Sequence, residues 1–273
     1  MKAPNTYTHG HHESVLRSHQ WRTVQNSAAY LLPYLGPEVT LLDIGAGPGT
    51  ITVDFAERVA HVTATEIGQR ELALSRQTAE RRGVSNVSFA VADVHGLSFA
   101  DESFDLVHAH QVLQHVGDPV RALREMARVT RPGGIVAARD ADYGGFVWYP
   151  DFPEIREWIG LYSIAARANS GEPDAGRRLL SWARAAGFEQ VSATASAWCY
   201  ATAEDRAWWA GTWADRIVES AVARQLVGSG QATAAQLRRI SDGWRRWAGA
   251  GDGWFMVPHG EIIYRKPEAA PAS

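Results

Sequence analysis

An α/β fold built on a mostly parallel sheet is what this 273-residue sequence predicts, on three observations. An apolar run, Val39 to Leu42, leads directly into the glycine-spaced turn Asp43-Ile44-Gly45-Ala46-Gly47-Pro48-Gly49. Such a run is expected of a strand buried on both faces that hands over to a helix. Two further β-rich runs, Val62 to Glu66 and Val87 to Asp93, follow at helix-length intervals, and each closes on an acid as the first does. Strands alternating with helical segments are the pattern of βαβ units, in which ligands collect at the carboxyl ends of the strands.

Composition sets the outer bounds. Lys and Arg number 27 against 30 Asp and Glu, giving a formal net charge of −3 and a pI near 6.4. That balance draws the chain neither to nucleic-acid phosphates nor to anionic membrane, so neither is expected as a partner. The single cysteine, Cys199, excludes an intrachain disulfide and a cysteine-based zinc cluster. The sequence has no charged-then-apolar leader and no apolar run of about 18 residues, so a soluble, cytoplasmic protein is expected. Its length suits one large α/β domain with a helical lid. The oligomeric state is left open, a homodimer included.

Taken in order, residues 1–38 read as an N-terminal helical lid. Its first part carries His9, His11, His12 and His19 in no helical register and with no carboxylate pair, so a mobile cover over the site is expected rather than a metal centre. From Trp21 to Leu35 the apolar positions Val24, Ala28, Leu31, Leu32 and Leu35 recur at helical spacing, and Pro33 and Gly36-Pro37 stop the run. They predict a helix beside the first strand. Beyond the glycine turn, Ile51, Phe55 and Val59 mark one face of a helix, and Gln69 to Arg82 forms the next, with Gly83 as its C-terminal cap.

The turn itself narrows the ligand. Glycines at 45, 47 and 49 permit positive φ and let a ligand lie against the main chain. A dinucleotide fingerprint would need glycine at 50, where the chain has Thr50. Asp43 would repel a pyrophosphate yet welcome an ammonium group, which disfavours a nicotinamide-dependent oxidoreductase. Glu66, at the end of the second strand and roughly 20 residues past the turn, stands where ribose hydroxyls could donate to it.

The pattern Asp-x-Gly-x-Gly-x-Gly resembles the first motif of class I S-adenosylmethionine-dependent methyltransferases. More of the pattern follows in the right sequence: Phe99 to Val107 at a fourth strand, His108 to Pro119 after it, and Arg128 to Gly134 ahead of a fifth, Ile135 to Arg139. Residues 39–140 thus look like the methyltransferase domain of the ubiquinone-biosynthesis type, with Gln114-His115 where many relatives carry paired histidines. The resemblance implies S-adenosyl-L-methionine as cofactor. It also implies a Rossmann-like sheet of seven strands, mostly parallel with one antiparallel hairpin, with flanking helices and a helical lid. The implied cofactor residues are Asp43, Gly45, Ala46, Gly47, Gly49, Glu66, Ile67, Asp93, Val94 and His110, with Asp93 and the Val94 backbone on the adenine.

Residues 141–267 are expected to complete the sheet with strands at Val191 to Tyr200 and Gly260 to Arg265. Substrate-side helices are expected at about 152–170, 175–186, 203–227 and 233–249, and 268–273 as a disordered tail. Ten of the eleven tryptophans lie between Trp148 and Trp254. The spacing of Trp209 with Trp213 and of Trp244 with Trp247 predicts core packing for most of them. Trp148 and Tyr149 are left as ring platforms.

Methyl transfer from a sulfonium calls for alignment of nucleophile, methyl and sulfur without a metal, and for a base where the nucleophile loses a proton. His115 is the expected base, with Asp140 or Asp142 orienting it and Tyr7 close by. Arg139, Asp142, Tyr143, Trp148 and Tyr149 are expected around a small aromatic substrate. The run Tyr7 to His12, the stretch 142–150 and the Trp-rich second half look like a bacterial small-molecule methyltransferase subgroup whose members include enzymes that methylate indole C3 in tryptophan-derived natural products. The alternatives are O- or N-methylation of another aromatic metabolite, and a non-catalytic cofactor-binding module.

Overall fold

In the computed structural model, which describes residues 21–268, the chain enters through α1 (Val24–Ser27) and a 3-10 turn (Ala29–Tyr34). Tyr7, the four N-terminal histidines and residues 269–273 of the expected tail lie outside the described residues. One helix was expected over Trp21 to Leu35. Thr23 and Asn26 instead form a capping box that starts α1, and Pro33, which has no N–H to donate, falls inside the tighter turn. The apolar positions still do their predicted work, since Val24, Ala28 and Leu31 are buried with Leu41 of the first strand.

Five strands then run parallel in the order β3-β2-β1-β4-β5: β1 (Thr40–Ile44), β2 (His61–Glu66), β3 (Val87–Val91), β4 (Phe104–His110) and β5 (Thr130–Ala141). They are joined by α2 (Thr50–Ala56), α3 (Gln69–Arg82) and α4 (Pro119–Val129). Gly83 caps α3 in the left-handed region at φ 67°. The order reverses between β1 and β4, which makes the crevice above those two strands the expected ligand site of such a sheet.

The second half adds β6 (Val147–Tyr149), α5 (Pro153–Ala168), α6 (Ala175–Ala185), β7 (Val191–Tyr200), α7 (Ala203–Glu219), α8 (Ala221–Gly228), α9 (Ala234–Ala248) and β8 (Trp254–Arg265). Antiparallel β8 pairs with β5 through Ile135 to Ala141, with β6 through Trp254 to Met256, and with β7 along the other edge. The sheet therefore has eight strands, not seven. The last strand was expected from Gly260 to Arg265 and begins earlier, at Trp254. Pro258 sits where the partner of β8 changes from β5 to β6, a position that requires no ladder N–H from it. The single helix expected over 203–227 is broken at Ser220, whose hydroxyl accepts from the Val222 N–H at 3.2 Å and starts α8.

Both faces of the parallel sheet are covered. On one, Leu42, Val107 and Val136 meet Leu123 and Met126 of α4 and Leu179 of α6. On the other, Leu41, Leu106 and Ala137 meet α1, the 3-10 turn and α2. Beyond the sheet's carboxyl edge, α5 and α7 to α9 pack around Trp158, Trp209, Trp213, Trp244, Trp247 and Phe255, so the paired tryptophans are core, as their helical spacing requires. No helix of the described residues is long and apolar enough to cross a membrane.

Candidate active site

β1 passes to α2 through Gly45, Gly47 and Gly49, at φ 67°, 58° and 78°. Side-chain-bearing residues adopt this region at a cost, so the tight turn depends on glycine. Two of the three glycines also admit protein rather than ligand: a Cβ on Gly45 would stand 2.5 Å from a Val112 methyl, and one on Gly49 would collide with Ser75. The turn is tied to β2, with the Ala46 N–H donating to Thr65 O at 3.0 Å and the Gly47 N–H to Glu66 Oε1 at 2.6 Å. Glu66 Oε2 accepts from the Ile67 N–H at 3.2 Å. Burial raises the Glu66 pKa, and these backbone donors oppose the rise.

These residues suit an adenosyl ligand. A carboxylate accepts about four hydrogen bonds, so Glu66 keeps capacity for vicinal hydroxyls. Ile67 beside it is 65% exposed, leaving apolar surface for a flat ring. Asp93 follows β3; burial pushes its pKa up, but donation from the His95 N–H and ring, at 2.9 and 2.8 Å, outweighs that and lowers it. Val94 behind it is buried.

Asp43 behaves differently from the expectation of a direct ammonium partner. It is 3% exposed, its Oδ2 accepts from the Thr52 hydroxyl at 2.6 Å, and its Oδ1 lies 3.0 Å from His108 Nδ1. The carboxylate is engaged from within and braces the underside of the turn. The same face continues along β4 to His110, which is buried with both ring nitrogens unpartnered. His110 stacks between His108 at 6.4 Å and His259 at 6.3 Å. Burial first, then nearby arginines, hold His110 and His259 well below the usual histidine range, so both are neutral.

At the end of β4 the chain turns through Gln111 at φ 54°, an uncommon conformation for a residue with a side chain. Its amide lies between Arg22, which donates at 2.7 Å, and His259 Nε2 at 2.9 Å. The next turn, Leu113–His115, carries the expected base. The His115 ring lies 3.0 Å from the Gln114 amide nitrogen, and burial, helped by Arg22, lowers its pKa to about 3. Asp140 does not orient that ring. Its Oδ1 accepts from the Gln114 N–H at 3.0 Å, its Oδ2 is buried without a partner, and burial raises its pKa to about 7.

The other expected substrate-side residues are placed as follows. Asp142, just past β5, is clamped by Arg177 of α6 through bonds of 2.7 and 2.5 Å, which ties it into the fold. Tyr143 is buried against Tyr162 at 4.2 Å and Phe146 at 4.5 Å, as core. On β6 the strand period turns Trp148 inward onto Phe255, while Tyr149 points outward and its carbonyl accepts from Trp247 Nε1 at 3.0 Å.

Arg139 leads to groups that sequence reasoning passed over. It is 1% exposed, and its Nε donates to Ser196 Oγ at 3.0 Å and Glu261 Oε1 at 3.2 Å. Its Cζ stands 5.0 Å from the centre of the Trp198 ring. Burial draws its pKa down to about 10, against the pull of Glu261. Trp198 also meets His259 at 4.3 Å and Trp21 at 5.3 Å. Trp21 in turn lies 5.7 Å from Tyr200 and 5.6 Å from Trp208. The available signal was strand periodicity: His259 and Glu261 alternate with apolar neighbours and share the face of Arg139 once register is known. Among the described residues no group of three His, Cys, Asp or Glu is set to hold a metal ion.

Comparison with known proteins agrees with this geometry. Residues 42–138 match the model of a methyltransferase domain. The chain is 35% identical to an uncharacterized methyltransferase of Schizosaccharomyces pombe over 275 residues, which covers 96% of this chain and 97% of that protein. It is 38% identical to the ubiquinone/menaquinone biosynthesis C-methyltransferase of Bdellovibrio bacteriovorus over 122 residues, 43% of this chain and 49% of that one. In fold it is similar to Haemonchus contortus phosphoethanolamine N-methyltransferase 2, solved with phosphomonomethylethanolamine and S-adenosylhomocysteine. That likeness has a TM-score of 0.55 at 18% identity and covers 86% of this chain and 50% of the other. The chain belongs to the class I S-adenosylmethionine-dependent methyltransferases.

Proposed function

We propose that the protein methylates a small planar aromatic molecule, and that indole C3 of a tryptophan-derived compound is the acceptor to test first. The observation that carries the reading is the ring cluster Trp21, Trp198, Tyr200 and Trp208 beside Arg139 and His259, past the carboxyl ends of β4 and β5. Rings of this kind hold a flat acceptor by stacking and edge contacts. Trp148, packed on Phe255, belongs to the wall behind them.

S-adenosylmethionine supplies an electrophilic methyl, and the protein's part is to align the acceptor and keep water out, an effect that can reach roughly 7–11 kcal/mol. Glu66, Ile67, Asp93 and the Val94 backbone would hold the adenosyl part, and the glycine turn would carry the remainder. Where the acceptor must lose a proton, Asp140 and His115 are the titratable groups to compare, with Asp140 on the face of β5 opposite Arg139. A base works best with a pKa near the working pH; Asp140 sits near 7 with one oxygen unpartnered, whereas His115 sits near 3. His110, stacked between His108 and His259, would stand on the cofactor side as a neutral ring.

Incubation with S-adenosylmethionine and a panel of indoles, phenols and aromatic amines, read by S-adenosylhomocysteine release and product NMR, tests the reading. A methyl on indole C3 supports the finer proposal, and methyl on oxygen or nitrogen replaces it with the O- or N-methyltransferase alternative. No turnover of any aromatic favours a binding module. Asp140→Asn and His115→Ala are compared side by side, and the group that takes the proton is the one whose loss lowers turnover by about 10²–10⁴-fold.

A further inference from the structure

The inner edge of the Arg139 guanidinium is fixed. Its Nε is bonded to Ser196 and Glu261, and Glu261 is itself held by the hydroxyls of Thr194, at 2.8 Å, and Ser196. The outer edge is not: Nη1 and Nη2 are both buried without a hydrogen-bond partner among the described residues. The buried hydroxyls of Tyr30 and Tyr200 also lack partners. Both tyrosines lie within electrostatic reach of Arg139, one from the 3-10 turn above the sheet and one from the end of β7.

A buried polar group without a partner costs about 1–3 kcal/mol, and more when charged, so several in one place are not a device for stability. All of these groups are hydrogen-bond donors, and what would satisfy them is a ligand rich in acceptor oxygens. The Nη1–Nη2 edge presents coplanar N–H bonds, the fork that a planar carboxylate matches with two parallel bonds. Trp198, 5.0 Å from Cζ, backs the guanidinium and sits in the ring cluster assigned to the acceptor.

We propose that the outer edge of Arg139, together with the Tyr30 hydroxyl, binds a carboxylate carried by the methyl acceptor, so that the substrate class is an aromatic acid. This rests on the reading of an aromatic acceptor above. Arg139 and Tyr30 thereby determine specificity, and the bound carboxylate fixes how the ring presents its reacting atom to the methyl group.

The test is calorimetric titration of the protein loaded with S-adenosylhomocysteine, using three probes: indole-3-acetate, indole-3-acetamide and hexanoate. The acetate is expected to bind at least ~10-fold more tightly than the equally sized amide. Tyr30→Phe and Arg139→Lys should shrink that preference severalfold. The lysine variant keeps a cation for Glu261, and unfolding curves of both variants verify that they fold. Equal affinity for acetate and amide overturns the proposal and leaves the aromatic reading standing. A preference that persists in both variants overturns the assignment to this site, as does failure of all three probes to bind. If hexanoate binds as well as indole-3-acetate and depends on Arg139, the carboxylate site stands and the aromatic reading falls.

Discussion

The two faces of the central sheet are made by the same strands and are equally covered, yet they are unlike. On the α4 and α6 side, Leu42, Ile44, Val107, Ala109, Val136 and Ala138 meet their neighbours through carbon alone. On the α1 and α2 side, Leu41, Leu106 and Ala137 give way toward the carboxyl ends to Asp43, His108, His110, Arg139 and Glu261, all buried. Removing charges from water generally costs more than their pairing returns, so this second face is less stable than an apolar one would be. What it gains is orientation. The bonds Asp43–His108 and Arg139–Glu261 hold side chains in set directions beneath the turn and the ring cluster. One face is composed to hold the sheet together and the other to present groups at its edge.

The contrast can be broken most forcefully at Arg139. Arg139→Met leaves Glu261 buried without its cation and should lower the unfolding free energy in urea by about 3–5 kcal/mol. Adding Glu261→Leu should restore much of that loss. If the single variant costs under 1 kcal/mol, the pair does not discipline this face.

Next in size is the one carboxyl at the end of the apolar face. Asp140 has its pKa raised by burial from 3.8 to about 7, so between those values the native state holds a proton that the unfolded chain has lost. Stability conferred by the neutral form is complete below the unfolded value and falls as pH rises through this window. Asp140→Asn should flatten that slope by as much as about 4 kcal/mol. The measurement is urea unfolding at several pH values. His115, lowered to about 3, works oppositely and destabilises the protein as pH falls below its usual value of 6.5.

Smaller effects are expected at Glu66 and Tyr30. Glu66→Ala should weaken S-adenosylhomocysteine binding by about 10- to 100-fold in calorimetry, the worth of one or two charge-assisted hydrogen bonds. Tyr30→Phe removes a hydroxyl with no partner among the described residues, so the unfolding free energy should move by less than ~0.5 kcal/mol. A loss above 1 kcal/mol would reveal that the hydroxyl is structural.

Legibility in the sequence followed the same divide. The turn at 45–49, the strand-end acids Glu66 and Asp93 and the cap at Gly83 are set by local backbone geometry and spacing, which a sequence displays directly. The site around Arg139 is made by register: Glu261 faces it across 122 positions, and Tyr30 lies within electrostatic reach of it from the 3-10 turn before β1. No local pattern encodes such a meeting. The partners of Asp142 and Tyr143 went unread for a related reason. Both stand in a stretch that looks functional, but Arg177 and Tyr162, which claim them for the fold, come from helices further along the chain.

The long strand β8 carries one more consequence, and it concerns how the molecule is made rather than how it works. Residues Trp254–Arg265 supply the partner for β5 on one side and for β7 on the other, from far downstream of either. Closing a loop of that size must precede any gain from the contacts it brings, which slows folding. While β1 to β5 can assemble from near neighbours as the chain is synthesised, β5 and β7 each wait with an open hydrogen-bonding edge. Open edges recruit other chains. The interval before β8 docks is therefore when this protein is most prone to aggregate, and a destabilising change in β8 should lower soluble yield more than an equal loss of stability in β2 or β3.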